Sequence, residues 1–221
     1  MEEVIKIYIV EDQVNILRTQ IKILKKNPEI EILGSSLSAE GALEEIKELQ
    51  PDVILMDLGL PDIDGIQLTK LVKKENPDIE ILIFTIFNEE EKVIKAIQAG
   101  ASGYILKGTS SKKMFYAIKS VYEGGSFIQP SLARMLLKHF TEPKKREFEE
   151  YHDEPHISLT PREKEILQLI TKGLTNKEVA SVLTLSRSTI RTHLEHIYQK
   201  MEVSNRVEAI TEGYKRGWVE F

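Results

Sequence analysis

The fold is decided by residues 53–65, which read VILMDLGLPDIDG. Four consecutive apolar residues, from Val53 to Met56, end at Asp57, and a loop rich in glycine, proline and aspartate follows. A short run without polar residues predicts a strand that is buried on both faces, as in a parallel sheet covered by helices. The change at Asp57 places a carboxylate directly beyond the carboxyl end of that strand.

Four further apolar runs surround this segment. They alternate with helical patterns, and strands that alternate with helices form βα units, in which the strands pair in parallel. The first 125 residues are therefore predicted to form one α/β domain with a doubly wound, five-stranded parallel sheet. The other strands are predicted at residues 5–10, 29–33, 81–84 and 104–106, and the helices at residues 14–27, 39–49, 66–74, 89–99 and 112–123.

From residue 157 to residue 221 the pattern is helical. Thr160 and Thr175 each precede a glutamate by three residues, which is the spacing of a capping box at the start of a helix. Ser186 begins a third helix after a turn short enough for a helix-turn-helix. Residues 126–156 are predicted to be a linker with a helical segment over 130–140. The four tail helices are predicted at residues 161–172, 176–182, 187–201 and 205–216.

The composition excludes several classes of protein. The chain has 221 residues, of which 29% are charged, and it has no cysteine. The absence of cysteine excludes disulfides, zinc ribbons, iron–sulfur clusters and cysteine nucleophiles. The chain also lacks an apolar stretch of roughly 18 residues, the length that suggests a membrane span. The acidic start at Glu2 and Glu3 differs from a secretory leader. A cytoplasmic protein without a membrane partner is therefore expected.

Polar side chains follow the ends of the predicted strands. Ligands bind at the carboxyl edge of an open α/β sheet, so we expect these side chains to form one site. Three carboxylates at one site would repel each other unless a hard cation with oxygen ligands, here Mg²⁺, binds them. A carboxylate beside Mg²⁺ can attack a phosphoryl group, whose oxygens an amine and a hydroxyl would bind. The residues are Glu11, Asp12, Asp57, Thr85 and Lys107.

Over residues 3–123 the sequence resembles the receiver domain of bacterial two-component response regulators. The resemblance rests on the Glu-Asp pair after the first strand, on the segment around Asp57, on Thr85, and on Tyr104 three residues before Lys107. It implies a flavodoxin-like sheet of order 2-1-3-4-5 and phosphorylation of Asp57 by a sensor histidine kinase. Thr85 and Tyr104 would be a switch pair, in which the hydroxyl moves to the phosphoryl group and the ring turns inward.

The same resemblance implies how Mg²⁺ is bound. Asp12 and Asp57 would be direct ligands, and the backbone carbonyl of Gly59 would complete the set of protein ligands. Glu11 would act through a water molecule. A glycine-rich loop for a nucleotide is missing from the sequence, so an independent kinase or hydrolase is not expected and the chain is predicted not to be an enzyme.

The third helix of the tail has two unlike faces. Its apolar face is predicted to be buried and consists of Ile190, Leu194, Ile197 and Met201. The opposite face carries Ser188, Thr192, Glu195 and Gln199, with Arg191 on the flank. A helix with short polar and basic side chains on its exposed face can lie in the major groove of DNA. Lys177 and Thr189, near helix starts, can reach phosphates.

Residues 157–219 resemble the LuxR-type DNA-binding domain, and the whole chain therefore resembles a NarL/FixJ-family transcriptional regulator. The resemblance implies that the helix from Arg187 to Lys200 reads DNA and that the fourth helix dimerises the domains on DNA. The side chains that would face bases are Arg191, Thr192 and Glu195. The net charge is −5 in residues 1–121 and +2 in residues 156–221, which fits two modules with different partners.

The expected protein is a transcription factor that is switched by phosphorylation of Asp57. It would dimerise when activated and bind double-stranded promoter DNA, with RNA polymerase as a further candidate partner. Two alternatives stay open. Glu195 stands where a basic residue is common in the family, which leaves room for a phosphorelay or protein-interaction module. A DNA-binding dimer independent of phosphorylation is the other alternative, although the intact acidic pocket argues against it.

Overall fold

The computed structural model describes residues 4–133 and 159–219. The chain folds into two compact units, which divide after Gln129. The first is an α/β unit and the second is helical, as the sequence predicts. Within the described ranges, no helix combines the length and the apolar character that crossing a membrane requires.

The first unit is built on a sheet of parallel strands: β1 (Ile5–Val10), β2 (Ile30–Ser36), β3 (Val53–Met56), β4 (Glu80–Thr85), β5 (Gly103–Leu106) and β6 (Phe127–Ile128). Their order in the sheet is β2-β1-β3-β4-β5-β6. The flavodoxin-like order predicted for five strands is confirmed, and a sixth strand extends the sheet beyond β5. All four residues of β3 are buried, which explains its uninterrupted apolar sequence.

The described helices of this unit are α1 (Val14–Leu24), α2 (Ala39–Leu49), α3 (Gly65–Glu75), α4 (Glu90–Gln98) and α5 (Ser111–Tyr122). Helix α1 packs beside α5, and α3 packs beside both α2 and α4, so the helices form two layers. Helix α1 ends three residues before the predicted position, and the chain continues in tight turns, in which the N–H groups of Lys26 and Asn27 donate to the carbonyl oxygens of Ile23 and Leu24.

The sixth strand lies in the segment that the sequence predicts as a linker. Phe127 and Ile128 pair with Gly103 and Tyr104 of β5. Gly103 permits this approach, since a Cβ atom there would lie 2.8 Å from the carbonyl oxygen of Phe127. Residues 130–133 are helical, and the rest of the helix predicted over 130–140 lies outside the described residues. The sheet therefore extends past residue 125, where the sequence places the boundary of the domain.

The second unit contains α6 (Pro161–Thr171), α7 (Asn176–Leu183), α8 (Arg187–Met201) and α9 (Arg206–Lys215), each within one residue of its predicted ends. Both predicted capping boxes are present: each threonine hydroxyl accepts from a glutamate N–H, and each glutamate carboxylate accepts from the threonine N–H. Helix α7 ends at Thr184 in the left-handed region, and Ser186 caps α8, so the turn between them is short.

A buried arginine fixes α9 to the loop between α6 and α7. Arg206 is 8% exposed. Its guanidinium donates to the carbonyl oxygen of Ile170 at 3.1 Å, to that of Leu174, and to the side-chain oxygen of Asn176 at 3.3 Å. One side chain therefore supplies a donor to the Leu174 carbonyl and a second donor to the Ile170 carbonyl, which also accepts from the N–H of Gly173.

Candidate functional site

The carboxyl ends of the central strands bring the predicted pocket residues together. Glu11 and Asp12 follow β1, Asp57 follows β3, Lys107 follows β5, and Thr85 is the last residue of β4. The strands β1 and β3 end at the same level of the sheet, so the residues that follow them emerge side by side. One carboxylate oxygen from each of the three acids lies within 4.8 Å of the other two.

Lys107 bridges two of these carboxylates. Its Nζ lies 2.8 Å from Oε1 and 2.7 Å from Oε2 of Glu11, and 2.7 Å from Oδ2 of Asp57. The side chains of Lys107, Glu11 and Asp57 are only 9%, 0% and 5% exposed. Buried charges need partners, because the loss of one partner leaves the other uncompensated. The ammonium group is therefore what permits two carboxylates to be buried next to each other.

Glu11 is the most deeply buried acid of the pocket. Burial raises the pKa of its carboxyl above the ordinary value, and the Lys107 ammonium opposes that rise. A further donor comes from Gln20 on α1, whose Nε2 lies 2.9 Å from Oε2 of Glu11. Sequence reasoning misses Gln20, because helical periodicity is read from apolar residues and a polar residue on the buried face gives no signal.

Asp12 brings an unsatisfied acceptor into the site. Its Oδ1 is buried and has no hydrogen-bond partner within the described residues. A buried acceptor without a donor is costly, and a divalent cation would satisfy it. Mg²⁺ prefers oxygen ligands and is commonly held by one or two carboxylates together with waters. The residues therefore fit the predicted ion, which the carboxylates of Glu11, Asp12 and Asp57 could hold together.

The backbone around Asp57 is closely confined. Its Oδ1 accepts a hydrogen bond from the N–H of Leu58 at 2.7 Å. Gly65, the first residue of α3, lies so close that a Cβ atom on it would stand 2.2 Å from the carbonyl oxygen of Asp57. Gly59 lies on the other side, where a Cβ atom would be 4.0 Å from Oδ2 of Asp57. Only glycine fits at position 65 without a shift of the backbone.

The loop after Asp57 is also tied to α2. The carboxylate of Asp62 accepts from the backbone N–H of Ala39 at 3.0 Å and from that of Glu40 at 2.8 Å. These are among the N–H groups that the start of a helix leaves without an intrahelical partner. Together they lower the pKa of Asp62 to about 2. This loop, residues 58–64, is thus held by α3 at its end and by α2 at its middle.

The predicted switch residues meet at Phe87. Thr85 is fully buried, and its Oγ1 accepts a long hydrogen bond of 3.5 Å from the N–H of Phe87. The buried ring of Tyr104 donates from its hydroxyl to the carbonyl oxygen of Phe87 at 2.9 Å. Burial raises the pKa of Tyr104, and the charges of Glu89 and Asp57 raise it further. The ammonium of Lys92 on α4 lies 3.2 Å from the centre of the Phe87 ring, a contact that the sequence does not reveal.

Helix α8 has the two faces that the sequence predicts. Its buried residues are Ile190, Leu194, Ile197 and Met201. Of the predicted DNA contacts on this helix, Ser188 and Thr192 are exposed, whereas Arg187, Thr189, Arg191 and Glu195 are partly buried. Lys177 is exposed on the second position of α7. The predicted set therefore lies on two adjoining helices, with Lys177 in the first turn of α7 and the other residues between Arg187 and Glu195 of α8.

The start of α8 is held by hydroxyl groups. Ser186 accepts from the N–H of Thr189 at 3.0 Å, and its Oγ lies 2.7 Å from the hydroxyls of both Ser188 and Thr189. Thr192 donates to the carbonyl oxygen of Ser188 at 3.2 Å. The N-terminal turn is thus fixed before any ligand binds, and its helix dipole favours an anion such as a phosphate.

Comparison with known proteins assigns each unit to a family. Residues 7–119 match the model of the response regulator receiver domain, and residues 157–212 match that of the luxR family of bacterial regulatory proteins. The two matches fall on the α/β unit and on the helical unit. Their order along the chain is the order of the two units in the structure.

Several relatives align with this chain over nearly its whole length. The transcriptional regulatory protein DegU of Brevibacillus brevis is 35% identical over 230 residues, covering 99% of this chain and 97% of DegU. The response regulator protein VraR of Staphylococcus epidermidis is 35% identical over 216 residues, covering 98% and 99%. A crystal structure of ChrA, a response regulator in a heme-sensing two-component system, has a TM-score of 0.53 and 28% identity, covering 99% of this chain and 100% of ChrA. This chain therefore belongs to the NarL/FixJ family of DNA-binding transcriptional response regulators, with a receiver domain followed by a LuxR-type helix-turn-helix domain.

Proposed function

We propose that this regulator is switched at Asp57, which accepts a phosphoryl group from a sensor histidine kinase. The observation that carries the proposal is the buried bridge that Lys107 makes between Glu11 and Asp57. An ammonium group that already contacts the acceptor carboxylate can turn to the phosphoryl group once it is formed. The charge needed to stabilise the product is therefore present before the transfer.

The transfer is a nucleophilic substitution at phosphorus. A carboxylate oxygen of Asp57 attacks the phosphoryl group of a phosphohistidine, an O–P bond forms, the P–N bond breaks, and the imidazole nitrogen keeps the electron pair. Oδ1 of Asp57 is engaged with the N–H of Leu58, and Oδ2 faces Lys107. We assign the attack to Oδ2, because the adjacent ammonium can neutralise the incoming charge. Mg²⁺, held by Asp12, Asp57 and the Gly59 carbonyl with Glu11 through water, would neutralise the phosphoryl oxygens.

Phosphorylation would reach the rest of the receiver through Thr85 and Tyr104. Turning the Thr85 hydroxyl toward a phosphoryl oxygen would break its long hydrogen bond of 3.5 Å with the N–H of Phe87. Phe87 would then be released from Thr85 while its carbonyl oxygen stays bonded to the Tyr104 hydroxyl, so Phe87 and Tyr104 could move together. A local change of charge would thus bias the position of the β4–α4 loop.

DNA recognition is assigned to the N-terminal half of α8. Arg191, Thr192 and Glu195 would face the bases in the major groove, and Glu195 could accept from the amino group of cytosine. Phosphates would be bound by Lys177 and Thr189, with Arg187 and Ser188 beside them in the first turn of α8. Two copies of the chain, paired through the helix after Asn205, would bind two half-sites of a promoter.

The acceptor is tested by intact-mass measurement after incubation with acetyl phosphate and Mg²⁺. The wild type should gain one phosphoryl group and Asp57→Asn should gain none. Asp78→Asn, which makes the same chemical change at an exposed site of the same unit, should behave like the wild type. Equal labelling of Asp57→Asn and the wild type would refute the assignment.

The DNA contacts are tested by gel-shift titration. Arg191→Ala should weaken specific binding by about 1–3 kcal/mol. Lys164→Ala removes a positive charge from an exposed position of α6 and should leave binding unchanged. If the phosphorylated wild type bound no genomic fragment at all, that result, together with the acidic Glu195 on α8, would favour a protein-interaction module instead.

A further inference from the structure

A buried glutamine next to the acidic pocket has no part in the steps above. Gln20 lies on α1, in the same buried stripe as Leu17 and Leu24, and is 4% exposed. An aliphatic side chain would pack at such a position without a loss of hydration. Polar side chains are rarely buried to this degree unless a hydrogen bond requires them.

The orientation of the Gln20 amide follows from its partner. Oε2 of Glu11 lies 2.9 Å away, and a carboxylate can only accept, so the amide nitrogen must face it. The amide oxygen then points elsewhere, and within the described residues Oε1 is buried without a hydrogen-bond partner. The contact with Glu11 therefore explains why an amide, rather than an alkyl group, occupies this position.

Three donors hold the Glu11 carboxylate. Lys107 is the closest at 2.7 Å, Gln20 follows at 2.9 Å, and the N–H of Gln13 is distant at 3.4 Å. Lys107 also binds Asp57, and its ammonium is the group that turns to the phosphoryl oxygens in the proposed function. When Lys107 turns away, Gln20 becomes the only short hydrogen bond among these three.

We propose that Gln20 is a positioning residue of the metal site. It holds Glu11 in the pocket so that the carboxylate keeps its place toward Mg²⁺ whether or not Lys107 is bound to it. This inference rests on the proposed function, because it assumes that the acidic pocket binds Mg²⁺. Groups that orient the ligands of a metal commonly contribute 10–100-fold to its affinity.

The test is calorimetric titration of Mg²⁺ into the full-length, unphosphorylated protein. Gln20→Met removes the amide but keeps an unbranched side chain of similar length. Leu24→Met introduces the same side chain in the same buried stripe and serves as the control. The Kd for Mg²⁺ should rise by about tenfold in Gln20→Met and should stay unchanged in Leu24→Met. An unchanged Kd in Gln20→Met would overturn the inference.

Action through Glu11 is tested by combining the two changes. In a Glu11→Gln background, Gln20→Met should add no further loss of Mg²⁺ affinity, since the carboxylate that it holds is gone. An equal loss in both backgrounds would mean that Gln20 only supports the fold, and would overturn the inference. If Gln20→Met does not fold, Gln20→Asn, whose shorter amide no longer reaches Glu11, should show the same loss. A wild type that binds no Mg²⁺ would refute the proposed metal site, and this inference with it.

Discussion

Replacing Gly65 by alanine tests how tightly the loop of residues 58–64, between Asp57 and α3, is confined. A Cβ atom there would lie 2.2 Å from the carbonyl oxygen of Asp57 and 2.8 Å from the Cα of Leu58. Both are backbone atoms, so rotating a side chain brings no relief and the start of α3 must move. Overpacking costs about 1–3 kcal/mol, and a clash with backbone atoms at 2.2 Å places this site at the upper end, about 3 kcal/mol. The higher helix propensity of alanine returns about 1 kcal/mol, so we expect the free energy of unfolding to fall by about 2 kcal/mol.

Urea unfolding followed by far-ultraviolet circular dichroism measures this change. Gly41→Ala in α2 is the control, because the nearest atom to its Cβ would be the Ser36 hydroxyl oxygen at 2.9 Å, a side-chain atom that can move by giving up its hydrogen bonds with the Ser38 backbone. It should lose at most about 1 kcal/mol, less than Gly65→Ala. Phosphorylation by acetyl phosphate should also slow in Gly65→Ala, since Asp57 is displaced. Equal stability of the two variants would refute the reasoning.

Two further predictions concern an exposed acid and a buried base. The pKa of Asp62, about 2 in the folded protein, lies below the ordinary value of about 3.9. Its contribution to stability is therefore present above pH 4 and lost as the pH falls toward 2; a carboxyl resonance in nuclear magnetic resonance that titrates near pH 4 would contradict this. Arg206→Met should lower the stability of the second unit by about 1–3 kcal/mol, because the Leu174 carbonyl loses its donor, whereas that of Ile170 keeps the Gly173 N–H. Urea unfolding followed by Trp218 fluorescence measures this loss of stability. An unchanged midpoint would contradict the role given to the Arg206 hydrogen bonds.

The α/β core and the acidic pocket could be predicted because local signals encode both. The run from Val53 to Met56 is apolar over its whole length, and the polar residues that follow four of the five predicted strands mark the edge of the sheet. The capping boxes at Thr160 and Thr175 likewise fix the starts of two helices within four residues of sequence. Each of these features can be read from a short segment.

The features that escaped prediction depend on residues distant in the sequence. Strand β6 has two residues, too few for a periodicity, and its pairing needs the bare backbone of Gly103. The role of Gln20 follows only from its hydrogen bond to Glu11, and that of Lys92 only from its contact with the ring of Phe87. A pattern along one helix cannot show which neighbour a side chain meets across the core.

The edge strand β6 determines how the chain leaves the receiver. Gln129 is joined to β5 twice, since its N–H donates to the carbonyl oxygen of Tyr104 at 3.3 Å and its Oε1 accepts from the N–H of Leu106 at 3.2 Å. Gln129, the last residue of the first unit, is therefore fixed directly to the strand that leads to Lys107. A displacement of Lys107 along with that strand would be passed to the end of the first unit through these two hydrogen bonds.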